Sequence, residues 1–209
     1  GGILITHEHN DHIRALESFS KVVPVYAHDY TMDAITKKCN ILSKHQMNFD
    51  NDSFSIGSLD ILTFKVSHDA TYPLGFCISD ETSKITYATD LGYCSKEFLR
   101  KARGSDTIVI ESNHDLDMLL SGRYPGFLKR RIVSNIGHLS NHACAVAINE
   151  LAEGGTRKFI LSHLSDQNNL PELAYWTSID YLKNKGAQEG DIQLYVADQR
   201  HISCYIGCN

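Results

Sequence analysis

The sequence predicts an α/β protein, built as a sandwich of sheets with helices on the outside. In the first half of the chain, short alternations of apolar and polar residues occur in pairs separated by turn residues, which is typical of antiparallel hairpins. In the second half, apolar strands alternate with helical patterns, which is typical of strand–helix units. The two patterns together favour a sandwich over a simple doubly wound sheet.

The composition fits one globular domain. Of 209 residues, 42% are hydrophobic and 22% charged, and no linker, repeat or low-complexity segment divides them, so we expect residues 1–209 to form a single domain. The net charge of −5 provides no general attraction to nucleic acid or to anionic membranes. No apolar run approaches the roughly 20 residues that span a bilayer. The chain starts at Gly1 without methionine and enters a strand directly, so we expect a segment to precede it.

The cysteines favour a reducing, cytoplasmic compartment over a disulfide framework, because none of the six forms a C-x-x-C pair. Cys77, Cys144 and Cys204 lie in apolar runs and are predicted to be small buried residues. Cys204 and Cys208, near the C-terminus, leave the disulfide alternative open.

Local patterns predict the elements in order. Those of the first half are a strand over 3–5, a helix over 13–19, a strand over 22–27, a helix from Asp29 or Thr31 to about Lys38, irregular chain over 39–52, a hairpin of 54–56 with 59–66, and a strand pair of 74–78 with 84–88. Those of the second half are a helix over 95–102, a strand over 107–110, helices over 115–121, 127–133 and 140–153, a strand over 158–161, a helix over 171–184, and strands over 192–196 and 202–206.

Four potential metal ligands follow the first strand in the pattern His-x-His-x-Asp-His: His7, His9, Asp11 and His12. On a tight loop, the first two can bind one cation and the last two can face a second cation beside it. Imidazole and carboxylate groups are preferred ligands of zinc and similar divalent ions. A histidine-rich exposed turn is the alternative interpretation.

Later strands also end in candidate ligands, namely His68, Asp90, Glu111 and His163. Asp90 lies in Ala-Thr-Asp-Leu-Gly, where glycine permits close approach of the backbone. A carboxylate at this position can bridge two cations.

The ordered set of His-x-His-x-Asp-His, His68, Asp90 and His163 resembles the metallo-β-lactamase fold. This resemblance implies a four-layer αβ/βα sandwich with a two-metal cleft at the edges of the sheets, and the strands that precede His-x-His in that family are missing here. It also implies two metal sites. The first would consist of His7, His9 and His68, and the second of Asp11, His12 and His163. Asp90 would bridge the two metals.

Three further stretches, residues 111–115, 122–125 and 137–141, resemble the YycJ-like subgroup of that fold, also called WalJ or VicX. Its members are similar to the branch that contains tRNase Z and the phosphoribosyl cyclic phosphodiesterases. The resemblance implies nuclease activity.

Two adjacent divalent cations would supply a bridging hydroxide and neutralise charge on a phosphoryl group. Zinc is favoured over manganese or iron. Asp11 is predicted to orient the attacking water or to accept its proton. His138 precedes a predicted helix and is expected to bind phosphate or protonate the leaving oxygen, with a surface position as the alternative. Glu111 is either a partner that orients a histidine or an ordinary carboxylate at the end of a strand.

A group of cations near Tyr124 and Phe127 could follow a nucleic-acid backbone, although a solvated helix face is equally consistent with it. The group consists of Arg123, Lys129, Arg130 and Arg131. Four histidines are interpreted as structural or surface residues, namely His28, His45, His142 and His201, and no role is predicted for His114.

The leading hypothesis is a metal-dependent phosphodiesterase, specifically a nuclease or exonuclease that acts on single-stranded DNA or RNA. A hydrolase of small cyclic phosphodiesters or thioesters is the first alternative, favoured by the acidic net charge. The second is a non-catalytic regulatory protein that retains the metals. No membrane partner is expected, and the sequence does not indicate an oligomeric state.

Overall fold

The computed structural model describes residues 1–203 and confirms an α/β sandwich. Its strands are β1 Ile3–Leu4, β2 Val25–His28, β3 Gln46–Phe49, β4 Ser53–Ile56, β5 Leu59–Lys65, β6 Leu74–Ser79, β7 Lys84–Ala88, β8 Thr107–Glu111, β9 Lys158–Ser162 and β10 Gln193–Val196. Its helices are α1 Asn10–Ile13, α2 Leu16–Phe19, α3 Asp29–Thr36, α4 Lys96–Ala102, α5 Leu116–Ser121, α6 Gly126–Ile132, α7 Asn141–Glu153 and α8 Pro171–Asn184.

The described strands form two sheets. The first sheet has three parallel strands in the order β1-β2-β3, and the second has seven in the order β10-β9-β8-β7-β6-β5-β4. The strands β4 to β7 pair antiparallel, as the predicted hairpins require. The strands β7 to β10 pair parallel and are connected through helices, as the strand–helix pattern of the second half predicts.

Three apolar clusters separate four layers. One cluster, which includes Ile148, lies between the second sheet and the helices α4, α7 and α8. Another, which includes Met32, lies between the first sheet and α1 to α3. The third includes Phe76 and joins the two sheets to each other. Each layer therefore buries its apolar face against a neighbour, and the loops at the strand ends remain available for a site.

The predicted helix over 13–19 is wrong in one respect, since the chain forms two short helices, α1 and α2, in this region. Ile13 and Leu16 are buried, but Phe19 is 57% exposed, so the three apolar residues do not share one buried helix face. Asp11 and His12 consequently lie within α1 rather than on an open loop.

Residues 39–52 are not all irregular, which corrects a second expectation. They contain the 3₁₀ turn Ser43–His45 and the strand β3, which pairs in parallel with β2. Only Phe49 of β3 is buried, so the strand lacks a clear apolar alternation and is held by backbone hydrogen bonds to its neighbour.

The helix α3 is also capped differently from the prediction. The Nδ1 atom of His28 accepts a hydrogen bond from the backbone N–H of Tyr30, while the hydroxyl of Thr31 donates to the carbonyl of Tyr72. Histidine is not among the residues that are preferred at an N-cap, so the sequence pattern did not indicate this start of the helix.

The second half follows the prediction closely. The hydroxyl of Ser140 caps α7 by accepting from the N–H of Ala143, and α8 begins at Pro171. Of the strand predicted over 202–206, Ile202 and Ser203 form no strand, and residues 204–206 lie outside the described residues. No helix within residues 1–203 is long and apolar enough to cross a membrane.

The predicted burial of two cysteines is confirmed. Cys77 and Cys144 are buried free thiols. Cys204 and Cys208, which bear on the disulfide alternative, lie outside the described residues.

Candidate metal centre

The loops that follow four strands converge at one edge of the sandwich. His7 follows β1, His68 follows β5, Asp90 follows β7 and His163 follows β9. Together with α1, these loops place every predicted ligand in one of several overlapping clusters of potential metal-binding atoms, within each of which the atoms lie within 4.8 Å of one another.

The first cluster consists of His7, His9 and His68. The Nδ1 atom of His9 lies 3.3 Å from Nε2 of His68. The other ring nitrogen of His68, Nδ1, lies 3.1 Å from the backbone carbonyl of Gly137, and Nδ1 of His7 lies 3.0 Å from the hydroxyl of Thr6. These contacts orient the two rings, so that Nε2 of His7 is left without a partner among the described residues and Nε2 of His68 faces the other candidate ligands His9 and Asp90.

The second cluster consists of Asp11, His12 and His163. An oxygen of Asp11 lies 3.4 Å from Nε2 of His12 and 3.7 Å from Nε2 of His163. Hydrogen bonds with these two histidines hold the pKa of Asp11 well below its usual range. Asp11 is therefore ionised at neutral pH, with its negative charge directed at two imidazole nitrogens.

Asp90 lies between the two clusters. Its Oδ1 atom is 3.5 Å from Nε2 of His68 and 3.7 Å from Nε2 of His163, while its Oδ2 atom is 3.2 Å from Nε2 of His12. Burial by itself would raise the pKa of Asp90, but the hydrogen bond with His12 and the nearby histidines lower it well below its usual range. Its two oxygens thus face histidines of both clusters, as a bridging carboxylate must.

The backbone is unusual at two of these positions. Asp90 and His163 are the two non-glycine residues with positive φ within residues 1–203, with φ of 59° and 56°. The left-handed region costs energy for residues with a Cβ and is retained where the surroundings enforce it. Each turn directs a side chain into the convergent site immediately after the end of a strand.

Glu111 is fully buried at the end of β8 and binds four groups. Its Oε1 atom accepts hydrogen bonds from Nδ1 of His138 at 2.9 Å and from Nδ1 of His163 at 2.7 Å. Its Oε2 atom accepts from the backbone N–H groups of Leu91 and Leu139. Burial would raise the pKa of Glu111, but the hydrogen bonds with the two histidines lower it, so the carboxylate stays ionised.

His138 lies in the loop before α7 and lines the cleft of the site. His138 lies two residues before the cap residue Ser140, and its ring is oriented by Glu111 rather than by the helix N-terminus. Because Nδ1 contacts Glu111, the nitrogen that remains for a ligand is Nε2.

Unpaired buried atoms test whether these residues fit a metal. The Nε2 atom of His7 is buried and has no hydrogen-bond partner among the described residues, which is costly unless a ligand binds there. The buried Nε2 atom of His12 and Oδ2 atom of Asp90 lie 3.2 Å apart and face each other within the same group of potential ligands. Imidazole nitrogens around a central carboxylate match the preferred donors of divalent transition metals, so the residues fit the group.

The histidines differ in proton affinity. Burial lowers the pKa of His7 to about 3, so its ring is neutral at pH 7. Burial also disfavours the charged form of His12 and His163, but hydrogen bonds with carboxylates raise their pKa to about 9 and about 11. Without a cation, the two positively charged rings of the second cluster balance the carboxylates, and a metal ion would have to displace these protons.

The site opens into a cleft of about 1190 Å³. Its lining includes the cationic and apolar residues Arg14, Tyr124, Leu128 and Arg131, and polar and acidic residues of two loops, namely Ser165, Asp166, Gln167, Asp198 and Gln199. His12, His138 and His163 lie along it as well. The cleft therefore gives a substrate access to the second ligand cluster, whose Asp11 also lines it.

Of the four cations predicted to contact substrate, Arg131 alone lines this cleft within the described residues. Arg123 and Arg130 are exposed elsewhere, and the Nζ atom of Lys129 donates to the carbonyl of Leu120. The basic group is thus divided between the cleft and the outer surface of α6.

The sequence did not single out Glu8 or Asp69. Buried Glu8 accepts from the backbone N–H and the hydroxyl of Thr71, which ties the first ligand loop to the loop that carries His68. Asp69 forms an ion pair with Arg131. Both are neighbours of predicted ligands in sequence, which was the one available signal.

The remaining histidines lie away from the ligand clusters. The ring of His28 stacks on Tyr72, His45 contacts the carbonyl of Ser20, and His142 and His201 are exposed. His114 is buried, and its Nδ1 atom has no partner among residues 1–203.

The chain matches a known family and curated relatives over most of its length. Residues 1–164 match the β-lactamase superfamily domain. The chain is 37% identical over 194 residues to the exodeoxyribonuclease YycJ of Bacillus anthracis, with 91% of this chain and 74% of that protein covered. It is 35% identical over 201 residues to the exodeoxyribonuclease WalJ of Streptococcus pneumoniae, with 92% and 74% covered.

The fold is also similar to solved structures. The metallo-β-lactamase fold protein YhfI from Bacillus subtilis superposes with a TM-score of 0.70 at 18% identity, covering 94% of this chain and 74% of that one. The predicted resemblance to this fold and to its YycJ-like subgroup is confirmed. The chain belongs to the β-lactamase superfamily domain family, and it is a metal-dependent hydrolase with the metallo-β-lactamase fold.

Proposed function

We propose that this hydrolase cleaves phosphodiester bonds in nucleic acid and uses two divalent cations. The observation that carries the proposal is the position of Asp90, a buried carboxylate whose two oxygens face histidines of both ligand clusters. A structural zinc site is usually single and closed, whereas the two proposed ligand sets lie side by side and one of them, with Asp11, His12 and His163, lines the cleft. A non-catalytic role is therefore disfavoured.

The ligands divide into two sets. The first cation would be held by His7, His9 and His68, the second by Asp11, His12 and His163, and Asp90 would contact both. Five imidazoles and two carboxylates suit zinc best, and manganese and iron are accepted by the same donors. Bound cations of this kind supply Lewis acidity, charge neutralisation and a lowered pKa of water for phosphoryl transfer.

The side chains have distinct tasks around this centre. Asp11 has a pKa far below neutrality, which makes it a weak base, so we assign it to orienting the attacking water more than to accepting a proton. His138 lines the cleft with Nδ1 on Glu111, so its Nε2 atom is available to donate a proton to the leaving oxygen or to bind a phosphate oxygen. Glu111 orients both His138 and His163.

Nucleic acid is the proposed substrate, and DNA is favoured over RNA. Support comes from the two relatives, each named an exodeoxyribonuclease. The cleft lining with Arg14, Arg131 and Tyr124 adds cationic and aromatic contacts of the kind that bind phosphates and bases. The sequence-based preference for a single strand is retained as part of this proposal.

A small phosphodiester is the second candidate substrate, favoured by one observation. Arg123 and Arg130 do not line the cleft, so the described cationic surface inside it is limited to a few residues. An enzyme that binds a small anion does not need an extended basic surface.

A cleavage panel tests the proposal. Zinc- or manganese-loaded protein would be incubated with single- and double-stranded DNA labelled at either end, with RNA, with a cyclic phosphodiester and with a thioester. We expect stepwise shortening of DNA that a chelator abolishes and that Asp90→Asn does not show. Cleavage of the thioester or of the cyclic ester alone would overturn the nuclease assignment, and faster cleavage of duplex than of single strands would reverse the strand preference.

A further inference from the structure

Asp69 and Arg131 form a two-pronged ion pair at the mouth of the cleft. The Nε atom of Arg131 donates to Oδ2 of Asp69 at 2.6 Å, and Nη2 donates to Oδ1 at 2.7 Å. This parallel arrangement fixes the plane of the guanidinium as well as its position. Most surface ion pairs contribute little to stability. We therefore interpret this specific geometry, beside the candidate metal centre, as a means of positioning the guanidinium.

The pair adjoins the proposed metal ligands. Asp69 directly follows His68, and its Oδ1 atom lies 3.5 Å from the Nε2 atom of that histidine. Arg131 lines the cleft, and its pKa is raised above the usual value by the hydrogen bond with Asp69 and further by the charges of Asp69 and Asp90. Arg131 is thus near enough to the centre to interact with its proposed bridging residue.

The helix end that carries Arg131 is fastened to the same centre. The carbonyl of Ile132 accepts from the N–H of His138, and the carbonyl of Gly137 contacts Nδ1 of His68. A Cβ at Gly137 would lie 2.2 Å from the carbonyl oxygen of Arg131, so glycine is required for this close approach. The guanidinium is therefore held in a defined place relative to His68 and His138.

Arg131 keeps donors for a ligand. A guanidinium has five N–H donors, and the pair with Asp69 uses two of them. Lys129 of the same helix differs, because its ammonium donates to the carbonyl of Leu120 outside the cleft.

We propose that Arg131 binds a phosphate oxygen of the substrate beside the scissile bond, and that Asp69 is the positioning residue that holds its guanidinium there. This inference rests on the proposed phosphodiesterase function and assigns a specific phosphate contact to it. The neighbouring cations Arg123, Lys129 and Arg130 are not part of this contact.

Binding separates the roles of the two residues. Zinc-loaded wild type, Arg131→Gln, Arg131→Lys and Asp69→Asn would be titrated with a phosphorothioate oligonucleotide at several salt concentrations. Arg131→Gln should reduce the slope of log affinity against log salt by about 1, because one phosphate contact is lost. Asp69→Asn and Arg131→Lys should keep the slope, because each retains the positive charge at position 131. Arg100→Gln, an exposed arginine on α4, is the matched control and should behave as wild type.

Turnover and metal content complete the test. Elemental analysis should find the same metal content in all variants. Arg131→Gln should lower kcat/KM on an oligonucleotide on the order of 10²-fold, the usual effect of removing one anion-binding donor. Asp69→Asn should lower it by about 10- to 10²-fold through misplacement of the guanidinium. Arg131→Lys should remain impaired, since an ammonium cannot reproduce the two-pronged geometry.

Three outcomes would overturn the inference. The first is equal behaviour of Arg131→Gln and Arg100→Gln in both slope and turnover. The second is full turnover in Arg131→Lys. The third is loss of metal in Asp69→Asn, which would make Asp69 part of the metal site instead. If the wild-type protein cleaves no phosphodiester at all, the proposed function fails as well. If the wild-type protein cleaves and any of these three results is found, the inference about Arg131 and Asp69 fails and the proposed function stands.

Discussion

Glu111 and His163 are joined by a 2.7 Å hydrogen bond from Nδ1 of the imidazole to Oε1 of the carboxylate. The same oxygen accepts from Nδ1 of His138, so one buried carboxylate orients a proposed metal ligand and a proposed proton donor together. Both rings thereby present Nε2 as the remaining nitrogen. The orientation of the proposed ligand His163 and of the proposed proton donor His138 thus depends on a single side chain.

Glu111→Gln should therefore damage two functions at once. A neutral amide is a weaker acceptor for two imidazole N–H groups, so we expect metal affinity to fall by about 10- to 100-fold, as for other residues that orient metal ligands. Turnover at saturating metal should fall as well, because His138 loses its orientation. Metal titration and steady-state kinetics measure the two effects, with exposed Glu189→Gln as the control. Unchanged metal affinity would show that Glu111 is not needed to orient His163.

Asp90→Asn should disrupt both metal positions. Asparagine tolerates the left-handed backbone at this position, so the fold is preserved while a negative charge between the clusters is lost. Elemental analysis should give close to two metals per wild-type protein and clearly fewer in the variant. Asp33→Asn, on the exposed face of α3, and His201→Ala should retain both. Tight binding of a single metal by wild type would remove the two-metal mechanism.

His138→Ala and His163→Ala should fail in different ways. The first should keep both metals and lose about 10²- to 10⁴-fold in turnover, the range for a general acid or an anion-binding donor. The defect should shrink for nitrophenyl esters, whose leaving groups need little protonation. The second should lose metal, because a ligand is removed from the second cluster. Metal loss in His138→Ala would make that residue a ligand.

Metal uptake should release protons near neutral pH. In the metal-free protein His12 and His163 have pKa values of about 9 and about 11, so both are protonated at pH 7.5 and must deprotonate to bind a cation. His7, with a pKa of about 3, contributes no proton. Apparent affinity should therefore rise with pH, more steeply below about 9 than between about 9 and about 11. Calorimetry in buffers of different ionisation enthalpy should detect release of about two protons, and about one fewer in His163→Ala; a pH-independent affinity would contradict this assignment.

Gly92→Ala should displace the loop that carries His138. A Cβ at position 92 would lie 2.0 Å from the carbonyl oxygen of Asn135 and 2.7 Å from the N atom of Ile136, both of them backbone atoms. We expect a loss of about 1–3 kcal/mol in unfolding free energy and reduced turnover. Gly126→Ala is the matched control, since its Cβ would meet only the end of the Arg130 side chain at 3.4 Å. Equal stability of the two variants in denaturant unfolding would show that the loop relaxes freely.

The sequence by itself determined the type of fold and the candidate ligands. Hairpin signals, strand–helix alternation, the Ser140 cap of α7 and the start of α8 at Pro171 are local features, so they could be predicted without tertiary information. The spacing of His7, His9, Asp11 and His12 is likewise local, and the resemblance of the whole ordered set to one fold placed the later ligands beside it.

The tertiary structure decided what depends on distant partners. The strand β3 has little apolar alternation and forms through pairing with β2. The N-cap of α3 is His28, the last residue of β2. Glu111 could be suspected but not assigned, because its four partners are brought together only by packing of the loops around it. The basic run on α6 was divided by the same cause, since the orientation of the helix relative to the cleft directs Arg131 inward and leaves Arg130 exposed. Local spacing determines which residues can act, and long-range packing determines which of them face one another.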